Sequence, residues 1–147
     1  MSSRERKREK LERILWRVAS ESSSGAVIIV EGRKDKTALR RMGLTGPILC
    51  LKSSRKSLAD FLSDIDAKKA IVLTDFDREG KDLSVRIAEE LAHLRIRADH
   101  ALRERLGALV RQDARTIQDL FGYIERVRAE ETRRLLSDSP NELSQRA

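Results

Sequence analysis

The sequence predicts an α/β fold in which a mostly parallel sheet carries helices on both faces. Three observations lead there. Short, wholly apolar runs recur at Ala26–Val30, Ile48–Leu51 and Ala70–Thr74, as expected of strands covered on both sides. Segments with apolar residues at helical spacing separate them, which makes parallel crossovers the natural connection. Each run also ends abruptly at a polar or charged residue: Glu31, Lys52 and Asp75.

Arg4 to Ser20 reads as a helix, with Leu11, Ile14, Leu15 and Val18 on one stripe. The Ser22-Ser23-Ser24-Gly25 run ends it. After the first strand a charged helix spans about Arg33 to Met42 and breaks at Gly43 and Gly46-Pro47. Leu58, Phe61, Leu62 and Ile65 mark a short helix, and Leu83, Ile87, Leu91 and Leu94 mark a longer one from about Arg78 to Arg95. Ile96 to Asp99 supplies a fourth strand. Arg103 to Val110 is helical, and Ile117, Leu120, Phe121, Ile124 and Val127 line a last amphipathic helix. The organisation expected is a charged N-terminal helix over 1–24, a metal-binding domain over 25–110, a C-terminal helix over 111–136 and a loose tail over 137–147 that contains Pro140.

The 147 residues suffice for one ordinary domain. A net charge of +7 directs attention to polyanions, nucleic acid first. The single cysteine, Cys50, excludes an internal disulfide and a cysteine-based zinc site, and it is expected in the core. No apolar stretch reaches signal-peptide or membrane-span length. A cytoplasmic protein without a membrane partner is expected. The segment to Ser20 holds seven Lys or Arg and three Glu. It reads as a solvated helix, with a nucleic-acid arm as the alternative and a protein partner as a further role for the terminal helices. Trp16 is expected to pack that helix, His93 and His100 to lie at the surface, and Tyr123 to join the core.

Ligands of open parallel sheets bind at the carboxyl ends of the strands. Glu31 follows the first strand; Asp75 follows the third, with Asp77 two residues on. Three carboxylates drawn together repel, and a hard divalent cation relieves them: Mg²⁺, with Mn²⁺ as a substitute. Arg33, Lys34, Lys52, Arg55, Lys56, Arg78 and Lys81 cluster along the same edge, and an acidic centre within a basic rim suits a phosphodiester. Gly80 opens the following helix, where a missing side chain lets a phosphate or a backbone come close. Two other readings compete. A calcium loop would need glutamate where Arg86 stands. Helix capping accounts equally well for one of the two aspartates.

Ile28-Ile29-Val30-Glu31-Gly32, with Asp35 four residues past the glutamate, resembles the first motif of the Toprim family. Leu73-Thr74-Asp75-Phe76-Asp77-Arg78-Glu79-Gly80 resembles the second, in a form close to that of type IA topoisomerases, with Phe76 in place of a usual proline and Lys81 where an acid is common. The resemblance covers Ala26 to about Asp99, and the size is similar to small stand-alone archaeal Toprim proteins. It implies a Rossmann-like fold of about four mostly parallel strands. It also implies Glu31 as general acid/base, Asp75 and Asp77 as Mg²⁺ ligands and Asp35 as an accessory residue. Topoisomerases, bacterial-type primases, old-phage-type nucleases and the 5S ribosomal RNA maturation nuclease share the domain. One tyrosine, one cysteine and no P-loop argue against the first three. An endonuclease or nucleotidyl-transfer enzyme on RNA or DNA is left as the leading expectation. A non-catalytic nucleic-acid-binding or adaptor module is the alternative, and a primase-like accessory factor is third.

Overall fold

In the computed structural model, which describes residues 1–146, four parallel strands form one sheet in the order β2-β1-β3-β4. The strands are β1 (Val27–Val30), β2 (Ile48–Cys50), β3 (Lys69–Leu73) and β4 (Arg97–Asp99). The helices are α1 (Ser3–Ser23), α2 (Arg33–Met42), α3 (Leu58–Ser63), α4 (Arg78–His93), α5 (Ala101–Val110) and α6 (Ile117–Arg146), with a single 3₁₀ turn at Leu51–Ser53. The fold is α/β and Rossmann-like, as the sequence predicts.

Side chains alternate across the sheet and so build two cores. Ile28, Val30, Ile48, Cys50, Ile71 and Leu73 face α1, α2, α5 and α6. Val27, Ile29, Ala70 and Val72 face α3 and α4 through Leu62, Ile87 and Leu91. Helix α2 carries the chain from β1 outward to β2 on the first face. α3 and α4 carry it back across β1 to β3 and on to β4 on the second. Opposite directions of travel on opposite faces are what right-handed crossovers require. The reversal falls between β1 and β3, which makes the crevice beyond their carboxyl ends the topological switch point.

The terminal helices pack together over the first core. Leu11, Ile14, Leu15 and Val18 of α1 and Ile117, Leu120, Tyr123 and Val127 of α6 are all buried. Ion pairs close the seam: Arg4 with Glu130 at 2.9 Å, Arg8 with Glu131 at 2.8 Å, Arg128 with Glu12 at 2.6 Å, and Arg134 with Glu5. Tyr123 sits in the core beneath Arg4 and Lys7, whose charges lie 5.8 and 5.9 Å from its ring centre. Cys50 is buried and both histidines are exposed, in line with the sequence reading.

Two expectations need correction. The last helix does not stop at 136. It runs to Arg146 through the segment read as a loose tail, and Pro140 falls inside the helical span. Residues 132–138 are exposed; good helix formers such as Arg133, Leu135 and Leu136 extend the helix there, and Arg134 ties it to Glu5 of α1. Only Ala147 of the expected tail lies outside the described residues. Trp16, in turn, does not pack α1: it is 71% exposed. The buried stripe at 11, 14, 15, 18 and 22 leaves position 16 on the solvent side.

Candidate nucleic-acid and metal site

Glu31 and Asp75 meet because β1 and β3 are neighbours in register. Val30 pairs with Leu73, so the next residues of both strands emerge side by side. The Glu31 carboxylate accepts the Asp75 backbone N–H through Oε2 at 2.6 Å. The carbonyl of Glu31 accepts the Lys52 N–H at 3.0 Å and the Cys50 thiol at 3.3 Å. Three strand ends are thereby stitched around one acid.

The loop holding Asp75 is clamped from below. Arg103 of α5, 3% exposed, donates from Nε to the Thr74 carbonyl at 3.2 Å and from Nη2 to the Asp75 carbonyl at 2.6 Å. Phe76 donates its N–H to the Arg115 carbonyl at 2.6 Å, and its ring rests over Gly107. A proline at 76 could not make that bond. The Thr74 hydroxyl donates to the Gly80 carbonyl at 2.6 Å. Gly80 is the tightest point: a Cβ there would stand 1.9 Å from the Asp75 carbonyl oxygen. The sequence reading left Gly80 open to the approach of a phosphate or a backbone, and it is the Asp75 backbone that comes close there.

Asp77 and Asp35 do different work from Asp75. Asp77 is the N-cap of α4, accepting the Gly80 N–H through Oδ1 at 2.7 Å, and its Oδ2 lies 3.9 Å from Arg115 Nε. The capping reading therefore holds for this aspartate. Asp35 is buried. It accepts the Gly32 N–H at 3.1 Å and the Gln118 N–H at 3.0 Å, tying the start of α2 to the start of α6. Burial pushes its carboxyl upward against the pull of those two donors.

Negative charge concentrates at Asp75. Burial above all, then the Glu31 carboxylate beside it, then Asp35 and Asp77, push its carboxyl up to about 7. A cation bound beside the two carboxyls would relieve this crowding. Among the described residues no three carboxylate, histidine or cysteine side chains group as a ready ligand set. The donor chemistry nonetheless fits Mg²⁺, which takes one or two carboxylates and fills its remaining positions with water and phosphate oxygens.

Arg33, Lys34, Lys52, Arg55, Arg78 and Lys81 are exposed on the strand-end side and make no ion pair among the described residues. Arg33 reaches Ser53 at 3.2 Å. Lys56 departs from the group: its ammonium pairs with Asp64 at 2.5 Å.

A Toprim-domain family model matches residues 26–103. The chain belongs to the Toprim family. Its archaeal relatives include a UPF0292 protein of Methanosarcina acetivorans, 32% identical over 124 residues that cover 82% of this chain and 84% of the relative. Another, from Pyrococcus furiosus, is 37% identical over 121 residues, covering 82% and 88%. A solved structure of a protein from Aquifex aeolicus superposes with a TM-score of 0.57 at 26% identity, covering 76% of this chain and 94% of that one. Toprim domains generally bind Mg²⁺, and membership implies a metal-dependent, nucleic-acid-related function. No helix among the described residues is long and apolar enough to cross a membrane.

The sequence reading missed Arg103 and Arg115 as supports of the Toprim loop. Arg103 carried a faint signal, a charge flanking the apolar stripe of Leu102, Leu106 and Val110. Arg115 acts through its backbone carbonyl, which no side-chain pattern reveals. Helix α1 has a further feature. Arg6, Lys10 and Arg13 lie exposed at four- and three-residue spacing beside Trp16, with no ion-pair partner among the described residues.

Proposed function

We propose that this Toprim protein is a Mg²⁺-dependent endonuclease or nucleotidyl-transfer enzyme acting on RNA or DNA phosphodiesters. The observation that carries the reading is the Glu31–Asp75 carboxyl pair, set at the switch point of the sheet beneath a rim of Lys and Arg that make no ion pair among the described residues. Mg²⁺, or Mn²⁺ in its place, supplies charge neutralisation and polarisation of a phosphate oxygen when bound. Asp75 and Glu31 would hold it together with Asp77, which also caps α4. Glu31, oriented by the Asp75 N–H, moves the proton between water and the leaving oxygen. Arg33, Lys34, Lys52, Arg55, Arg78 and Lys81 grip flanking phosphates, and Asp35 keeps the first loop in place.

Asp77 tests the assignment. Asp77→Ala removes a helix cap, about 1 kcal/mol of stability, so its activity loss alone would be ambiguous. Asp77→Ser keeps the cap and removes the charge. The expected result is wild-type melting with cleavage lowered about 10- to 100-fold. An unchanged rate in Asp77→Ser would make Asp77 a cap and nothing more.

The capping role of Asp77 also favours a second reading, a non-catalytic binder. Equal affinity for nucleic acid in EDTA and in Mg²⁺, with no cleavage of any RNA or DNA offered, would select it. Under either reading the α1 stripe adds a nucleic-acid contact. Replacing Arg6, Lys10 and Arg13 together with alanine should flatten the logarithmic salt dependence of binding by up to about 2–3. Trp16 is the single tryptophan, so its emission reports contact directly. Unaltered emission on adding oligonucleotide, with an unaltered salt slope in the variant, would remove α1 from the interface.

A further inference from the structure

A cavity of about 280 Å³ opens beside the acid pair, between the 3₁₀ turn, α3 and the first turns of α4. Its apolar walls are Leu51, Leu58, Phe61 and Leu83, and its polar lining includes Glu31 and Lys52. All four apolar residues are half-buried at the margin of the second core. We propose that this cavity is a nucleobase subsite, taking one unstacked nucleotide next to the phosphate held at Glu31 and Asp75. The proposal rests on the reading of that edge as a phosphodiester site.

Three features select this ligand class. Glu31 belongs both to the acid pair and to the cavity wall, so whatever fills the cavity lies within one nucleotide of the reacting phosphate. An apolar surface with one aromatic ring suits a base, which binds by stacking whatever its identity. Lys52, exposed and without an ion-pair partner among the described residues, stands at the mouth where the phosphate would lie. Lys56, the other cation lining the cavity, is neutralised by Asp64. The volume sits just under the roughly 300 Å³ at which ligand pockets begin. That is room enough for one base with its sugar. A purely apolar ligand would make no use of Glu31 and Lys52, and a bare anion would gain nothing from four apolar side chains.

The substrate consequence is definite. A base can enter only if it is free of its partner strand, so the protein should act at loops, bulges or single-stranded ends and not within continuous duplex.

The test uses the full chain in EDTA, titrated separately with adenosine 5′-monophosphate and ribose 5′-phosphate and followed by NMR. The expected result is that the nucleotide shifts the Leu51, Leu58 and Leu83 methyls and binds at least tenfold more tightly than the abasic probe. Phe61→Ala should erase that difference, and the milder Phe61→Leu should reduce it if the alanine variant does not fold. Equal affinity for the two probes, or shifts confined to residues away from the cavity, would overturn the proposal. Because the measurement needs neither metal nor turnover, its failure leaves the cleavage reading standing. Loss of the cleavage reading, seen as no Mg²⁺-dependent cleavage of any RNA or DNA offered, would not change the titration.

Discussion

Replacing Gly80 with alanine lowers the stability of this protein by about 3 kcal/mol or more, the range of backbone overpacking. The added Cβ stands 1.9 Å from the Asp75 carbonyl oxygen and 2.6 Å from its carbonyl carbon. No rotamer change relieves a clash between backbones. The strand end cannot retreat either. Arg103 holds the Asp75 carbonyl at 2.6 Å, and the Arg115 carbonyl holds the Phe76 N–H at 2.6 Å. Helix α4 is fixed in turn by Asp77 on the Gly80 N–H and by the Thr74 hydroxyl on the Gly80 carbonyl. A melting temperature lower by about 10 °C is expected for a chain of this length, together with loss of cleavage as Asp75 is displaced. Gly122→Ala is the matched control. Its Cβ would meet only the tip of the Arg126 side chain at 3.4 Å, so helix propensity should add about 0.5–1 kcal/mol. Equal melting of Gly80→Ala and wild type would show that the close approach is not obligatory.

Asp75→Asn is expected to separate stability from activity in opposite directions. The Asp75 carboxyl titrates near 7 in the folded protein against an ordinary 3.8 in the unfolded chain. The native state therefore binds more protons between those values, and wild-type stability falls as pH rises through that window. Below pH 3.8 the carboxyl is neutral in both states and contributes no penalty. Above 7 the penalty is complete. Asparagine never carries the charge. After allowance for the partial exposure of the site, the variant should exceed metal-free wild type by about 1–2 kcal/mol at pH 8. The advantage should vanish towards pH 4. Cleavage should drop by more than about 100-fold, and Mg²⁺ should raise the melting temperature of wild type but not of the variant. A variant no more stable than wild type at pH 8 would remove the charge-crowding argument. Retained cleavage would remove Asp75 from the reaction.

Much of this molecule is legible in one dimension. The apolar runs ending at Glu31, Lys52 and Asp75 marked three strands and the edge where chemistry gathers. That holds because a strand covered on both faces must be apolar throughout, while its exit into solvent need not be. Strand β4, half exposed at the sheet edge, left a fainter pattern for the same reason. Trp16 shows a signal that was present and under-used. The stripe of Leu11, Ile14, Leu15 and Val18 already placed position 16 off the buried face.

By itself, the sequence determined the α/β class, the parallel sheet, the Toprim motifs and which acids stand at strand ends. These follow from local periodicity and from residue types at fixed spacing. Only the tertiary structure decided which acids meet. Strand order places β1 against β3 and so joins Glu31 to Asp75, while the start of α4 draws Asp77 into a cap. It alone also revealed the clamp of Arg103 and Arg115, because those contacts join residues 28 and 39 positions apart in the chain. Hydrogen bonds across such separations depend on how the elements pack, and no spacing rule along the chain encodes that.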